Sequence, residues 1–145
     1  MTDQAPIYVF VYGTLKRGLR NHHLLDQGQY IQESCTRHAC WQIIDCPSWT
    51  HPGMRSPAVL EKGQYHIKGE IYKIDRGTLQ ILDDLEKINQ HYKRQKIQLS
   101  DGPDSWMYIN IVPDLEGDPQ STNIHVISDI NGIMGCDIQS WSDQI

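Results

Sequence analysis

The chain has 145 residues, of which 39% are hydrophobic and 21% charged, and its net charge is −5. That length carries one domain with a real core, 1–145, and the composition argues against disorder over most of it. Lys16, Arg17 and Arg20 form only a short basic cluster, so nucleic acid is a poor partner.

No apolar run reaches the length of a membrane span, and Met1–Pro6 lacks the basic and apolar parts of a secretory signal. No membrane partner is expected, and a cytoplasmic location is. Cys35, Cys40, Cys46 and Cys136 form no C-x-x-C pair and match no zinc spacing. In a reducing compartment they read as free, mostly buried thiols.

Ile7–Val11 is an apolar run that stops at Tyr12-Gly13-Thr14-Leu15-Lys16-Arg17-Gly18. It reads as a buried strand followed by a loop whose backbone N–H groups can grip a small anion such as a carboxylate. An ordinary turn fits the same residues equally well. Tyr30–His38 and Cys40–Cys46 read as the second and third strands. Pro47–Gly63, rich in Pro, Gly, His and Ser, reads as a long loop with the makings of a lid. Ile67–Ile74 is a strand containing Gly69. Asp75-Arg76-Gly77-Thr78 offers helix-capping residues, and Leu79–Glu86 follows as a helix with apolar side chains at Leu79, Ile81, Leu82 and Leu85. Lys93–Leu99 and Trp106–Val112 flank Ser100–Asp104, which reads as a hairpin loop. Met107, Ile109 and Ile111 alternate with Trp106, Tyr108 and Asn110, the pattern of a half-buried strand. Asp114–Asn123 reads as an acidic loop, and Ile124–Ile145 shows short apolar pieces broken by Gly132 and Gly135, with no assignable element.

At about 100° per residue, Glu86 falls inside the apolar arc of the helix, between Leu82 and Leu79. Asp83 and Asp84 fall outside it and read as solvated. A carboxylate on an apolar face is costly to bury unless paired or protonated. Desolvation would raise its pKa and suit it to general-base work. The competing reading is a helix-terminal glutamate that turns out to solvent. Tyr12 is a candidate for the pocket or for a buried tyrosine with one hydrogen bond. Tyr92, six residues after Glu86, either faces the same site or packs at a strand start. Arg94 either binds a substrate carboxylate or, the favoured reading, pairs with an acidic side chain, and Trp106 and Tyr108 compete for a place in the site or the core.

Seven histidines are scattered without H-E-x-x-H or Cys/His zinc spacing, so no metal is expected. Gly13 and Gly18 have the P-loop glycine spacing, but Leu19-Arg20 replaces the required Lys-Ser/Thr, and no G-x-G-x-x-G occurs. Nucleotide cofactors are disfavoured.

Taken in order, Tyr12–Gly18, Asn21-His22, Gly69-Glu70-Ile71-Tyr72, Leu82-Asp83-Asp84-Leu85-Glu86 and Tyr92-Lys93-Arg94 resemble the γ-glutamylcyclotransferase-like superfamily, nearest its γ-glutamylamine cyclotransferase, AIG2-like branch. The resemblance spans a core of about 7–112, leaving 113–145 poorly assigned. It implies an α+β fold, a small mixed β-barrel with a few peripheral helices, and a cofactor-free reaction on a small γ-glutamyl substrate. The substrate's α-amine attacks its own side-chain amide, the ring closes to 5-oxoproline and an amine leaves. The resemblance makes Glu86 the acid/base residue and Tyr12, Gly13, Thr14 and Leu15 the substrate loop; Tyr92, from its place after Glu86, is a further candidate for substrate binding. The alternative is a non-catalytic module that binds a small carboxylated ligand, because fold alone does not fix function. The leaving amine is not legible, and the absence of a long heptad pattern favours a monomer.

Overall fold

The computed structural model describes residues 6–13, 15, 22–47, 55–86, 92–111, 126–128 and 132–136. Eight strands and one α-helix make up the regular structure among them: β1 Ile7–Val11, β2 Gln29–Cys35, β3 Trp41–Pro47, β4 Arg55–Ile74, α1 Arg76–Glu86, β5 Tyr92–Ile97, β6 Ser105–Asn110, β7 Val126–Ser128 and β8 Ile133–Cys136. A 3-10 turn, His22–Leu25, sits between β1 and β2. Among the described residues no helix is long and apolar enough to cross a membrane.

The 20-residue strand β4 organises the sheet. Its second half pairs antiparallel with β1, from Ile7 opposite Ile74 to Val11 opposite Glu70, and with β2, from Gln29 opposite Lys73 to Cys35 opposite Lys68. Its first half pairs antiparallel with β3. Two links are parallel, β1 with β6 and β4 with β8, so the sheet is mixed as expected.

The barrel is not closed by a ladder. The strand path runs β5-β6-β1-β4-β8-β7, with β2 and β3 branching from β4. Across the gap between the ends of β2 and β5, one antiparallel bridge joins Thr36 to Leu99. Arg37 N–H donates to the Gln98 carbonyl (3.0 Å) and Ser100 N–H to the Cys35 carbonyl (2.9 Å). Thr36 is fully buried, and its hydroxyl oxygen accepts the Ile67 N–H at 2.9 Å, which ties this bridge to β4.

The long loop read over Pro47–Gly63 is overturned: Arg55–Gly63 belongs to β4, and residues 48–54 lie outside the described residues. The apolar triplet Ala58-Val59-Leu60 supplies the reason, since Ala58 and Val59 are fully buried. Gly63 lies where the register slips, Trp41 facing Tyr65 and Gln42 facing Leu60. A Cβ there would stand 2.3 Å from the Trp41 carbonyl oxygen, so glycine permits the bulge. Gly69 allows a similar approach, since a Cβ there would collide with the Val11 carbonyl oxygen and the Phe10 ring.

Alternate residues of the same strands feed two cores. Phe10, Ile67, Ile71, Ile97, Met107 and Ile109 pack on one face with Trp41, Ile43 and Val59 of the β3–β4 hairpin. Val9, Val11, Tyr72, Ile74, Tyr92 and Tyr108 point to the other face, which Leu82 of α1 and Leu25 of the 3-10 turn cover. β6 is therefore not half-buried: Met107, Tyr108, Ile109 and Asn110 are all buried, because helix and core cover both its faces, while Ile111 just beyond it is exposed.

α1 begins as the sequence suggests. Asp75 caps it, its Oδ1 accepting the Thr78 N–H at 2.7 Å, and its carbonyl accepts the Leu79 N–H at 3.0 Å. Hydrogen bonds to the carboxylate, from the Thr78 N–H first and the Thr78 side chain next, hold the Asp75 carboxyl below its ordinary pKa. Leu82 is fully buried, but Ile81 is 49% exposed, so the helix's apolar arc is narrower than the sequence suggests. The cysteine expectation also changes: Cys35 and Cys40 are free thiols, but Cys35 is only half-buried and Cys40 exposed.

Candidate active site

The parallel pairing of β1 and β6 brings their C-terminal ends to the same edge of the sheet. Tyr92 starts β5 there, opposite Asn110 at the end of β6, and both are buried. Glu70 of β4 lies opposite Val11, one residue before Tyr12. α1 ends at Glu86. The strand-end loop and the helix C-terminus are thus set by adjoining strands.

Both described ends of the loop are pinned. The Tyr12 hydroxyl donates to the Tyr108 carbonyl at 2.8 Å, and its ring lies in the first core at 7% exposure. That side chain thus has the burial and the hydrogen bond of the buried-tyrosine reading. Gly13 and Leu15 are buried, and the Leu15 carbonyl accepts a hydrogen bond from His22 Nδ1 at 3.0 Å. His22 therefore carries its proton on Nδ1 when that bond forms. Thr14 and the Glu86 side chain lie outside the described residues.

On the sheet face of the second core, polar groups meet around Tyr72 and around Tyr108 among the described residues. Glu70 is 4% exposed, and its Oε1 accepts the Tyr72 hydroxyl at 2.9 Å. Tyr72 in turn packs against His22 and Tyr30, with ring centroids 5.6 and 5.5 Å away. This links β4 and β2 to the turn that holds Leu15.

Around Tyr108 the carboxylate is that of Asp83, and here the reading of a solvated helix residue is corrected. Arg94 grips its carboxylate with two bonds, Nε to Oδ1 at 2.9 Å and Nη2 to Oδ2 at 3.1 Å. The Tyr108 hydroxyl donates to Oδ1 at 2.7 Å. The Asp83 and Arg94 side chains are only 16% and 24% exposed, and the Arg94 guanidinium lies 4.4 Å from the centroid of the Trp106 ring. Hydrogen bonds to a charged group contribute about 1.5–3 kcal/mol each when sheltered, so this pairing outweighs an ordinary surface ion pair. Arg94 has the acidic partner its sequence context suggests, and Tyr108 belongs to this cluster.

Sequence reasoning missed Glu70, Asp83 and His22 as parts of the site. Glu70 and His22 lie in motifs that carry the family resemblance, which was the available signal. Asp83 lies in such a motif too, Leu82–Glu86, but a helical wheel counts apolar positions and reads it as solvated, because its partners on β5 and β6 are polar. A cleft of about 410 Å³ exists elsewhere, lined by His38, Cys40, Trp41, Glu61, Lys96 and Ile97 among others. It includes none of Tyr12, Gly13, Leu15 or Tyr92, so it is separate from this constellation.

A family model described as "Gamma-glutamyl cyclotransferase, AIG2-like" matches residues 9–125. A relative from Arabidopsis thaliana, whose name places it provisionally among the gamma-glutamylcyclotransferases, is 37% identical over 103 residues, covering 69% of this chain and 54% of its own. The gamma-glutamylaminecyclotransferase A of Danio rerio is 33% identical over 102 residues, covering 64% of this chain and 58% of its own. This chain thus spans little more than half the length of either relative. The crystal structure of an AIG2-like protein from Mus musculus superposes with a TM-score of 0.60 at 23% identity, covering 92% of this chain and 97% of that one, which places the fold.

Proposed function

The chain belongs to the γ-glutamyl cyclotransferase, AIG2-like family, and from that membership we propose that it converts a small γ-glutamyl amine or γ-glutamyl amino acid to 5-oxoproline and a free amine. The observation that carries this reading is the join between helix and loop. α1, which ends at Glu86, is bonded through Asp83 to Tyr108, and Tyr108 also receives the hydroxyl of Tyr12, the first loop residue.

The chemistry asks for little else. The substrate's α-nitrogen forms a bond to the γ-carbonyl carbon, and the bond from that carbon to the amine nitrogen breaks. The attacking amine is an ammonium ion at neutral pH, so a base must first take a proton. Glu86 is that base, and it returns the proton to the leaving nitrogen. The nucleophile is part of the substrate, so no Ser or Cys nucleophile is required. The protein supplies a folded-back pose, which removes much of the entropic barrier. Backbone N–H groups from Gly13 to Leu15 would hold either the substrate carboxylate or the oxyanion of the tetrahedral intermediate. No cofactor takes part in this scheme.

The test is 5-oxoproline release from a panel of γ-glutamyl amino acids and γ-glutamyl amines, with wild type beside Glu86→Gln. The expected result is release by wild type and a kcat lower by about 10²–10⁴-fold in the variant, with thermal stability unchanged. Equal release by both proteins removes Glu86 from the base role. Binding of a γ-glutamyl ligand without release from any substrate makes the chain a binding module.

A further inference from the structure

Asp83 lies one helical turn before Glu86, and its carboxylate receives three hydrogen bonds from two strands. Its donors are a fixed pair: Arg94 and Tyr108 stand directly opposite each other in the β5–β6 ladder. Residues three apart on a helix share a face, so docking Asp83 on this pair sets both the rotation and the height of the last turn of α1. The same Tyr108 accepts the Tyr12 hydroxyl at its carbonyl oxygen. A continuous path of short bonds therefore runs from the helix end through Asp83 and Tyr108 to the start of the loop. We propose that Asp83 is a positioning residue, whose docking on Arg94 and Tyr108 sets the placement of Glu86 relative to the Tyr12–Leu15 loop. This rests on the cyclotransferase reading given above.

The physical argument is one of tolerance. A reacting group displaced by about 1 Å loses on the order of a hundredfold in rate. A helix end held only by apolar packing can slide or rotate slightly, because such contacts are not directional. A carboxylate with both oxygens bonded cannot move without breaking charge-assisted bonds. The three donors also explain why this position carries an acid: only a carboxylate presents two acceptor oxygens to a forked guanidinium and a hydroxyl at once.

Asp83→Asn keeps the shape and removes one acceptor oxygen. It should lower kcat about tenfold or more while KM stays within about threefold, since no substrate contact is removed. Ile43→Val, on β3 in the opposite core, serves as the control, with both variants assayed at temperatures equally far below their melting points. The control should keep the wild-type kcat. Hydrogen exchange of peptides covering 76–86 and 7–15 supplies a readout that needs no activity. Both segments should exchange faster together in Asp83→Asn and neither in Ile43→Val. The proposal is overturned by an unchanged kcat in Asp83→Asn, by an equal fall in the control, by a rise in KM alone, or by exchange that quickens in the helix but not in 7–15. Wild type that releases no 5-oxoproline counts against the cyclotransferase reading instead, and the exchange data then still decide whether Asp83 couples helix to loop.

Discussion

The two faces of the central sheet come from alternate residues of the same strands, yet they do different work. Phe10, Ile71, Met107 and Ile109 point to a face whose partners are apolar side chains. Val11, Glu70, Tyr72 and Tyr108 point to the other, where tyrosine hydroxyls meet the carboxylates of Glu70 and Asp83. Dispersion and water exclusion make the first face stable but say little about angle. Directional bonds make the second face fix one arrangement of α1 and the 3-10 turn over it. One strand can thus contribute stability through its odd positions and geometry through its even ones.

The sharpest break of that comparison uses neighbours on β6. Met107→Ala empties space in the apolar core, where Met107 is fully buried. It should cost about 2–5 kcal/mol in urea unfolding with kcat per folded molecule unchanged. A matching fall in kcat would show that the apolar face also sets the site. Tyr108→Phe removes one hydroxyl from the other face and leaves Arg94 on Asp83. It should cost about 1 kcal/mol yet lower kcat more than Met107→Ala does. Steady-state kinetics beside the unfolding curves would reverse the assignment of the faces if the order came out the other way.

The smallest effect concerns the far end of α1. Asp75 has a lowered pKa in the folded chain because its carboxylate accepts the Thr78 N–H. The unfolded chain then binds the proton more readily. The cap's stabilisation is therefore complete above the ordinary aspartate range and is lost as the pH falls through that range to the folded value. Melting curves of wild type and Asp75→Asn should differ most near neutral pH and converge in acid. A gap that does not narrow in acid would remove the charged cap from the account.

The sequence made most of this sheet legible wherever its apolar pattern was undisturbed. β1, β3, β5 and β6 lie within two residues of their expected bounds, β2 ends three residues earlier than expected, and the Asp75 cap marks the start of α1. The first half of β4 was hidden because Pro57 and Gly63 carry loop signals, whereas its pairing with β3 comes from tertiary packing. β7 and β8, of three and four residues, are too short to show a period and are defined by partners. Asp83 was misread for a related reason. A helix can face a polar surface inside a fold, and a polar residue on it then looks solvated until its partners on other strands are known.

β4 has one more consequence, in the order of synthesis. β1 takes its place in the sheet by pairing with Glu70–Ile74 and with β6, all of them at least 59 residues downstream of Val11 by the registers of Val11 with Glu70 and Val9 with Trp106. The β3–β4 hairpin, by contrast, joins neighbours. On the ribosome the loop-bearing strand is made before these partners and paired late, so its apolar run Ile7–Val11 waits unpaired while the hairpin can already form.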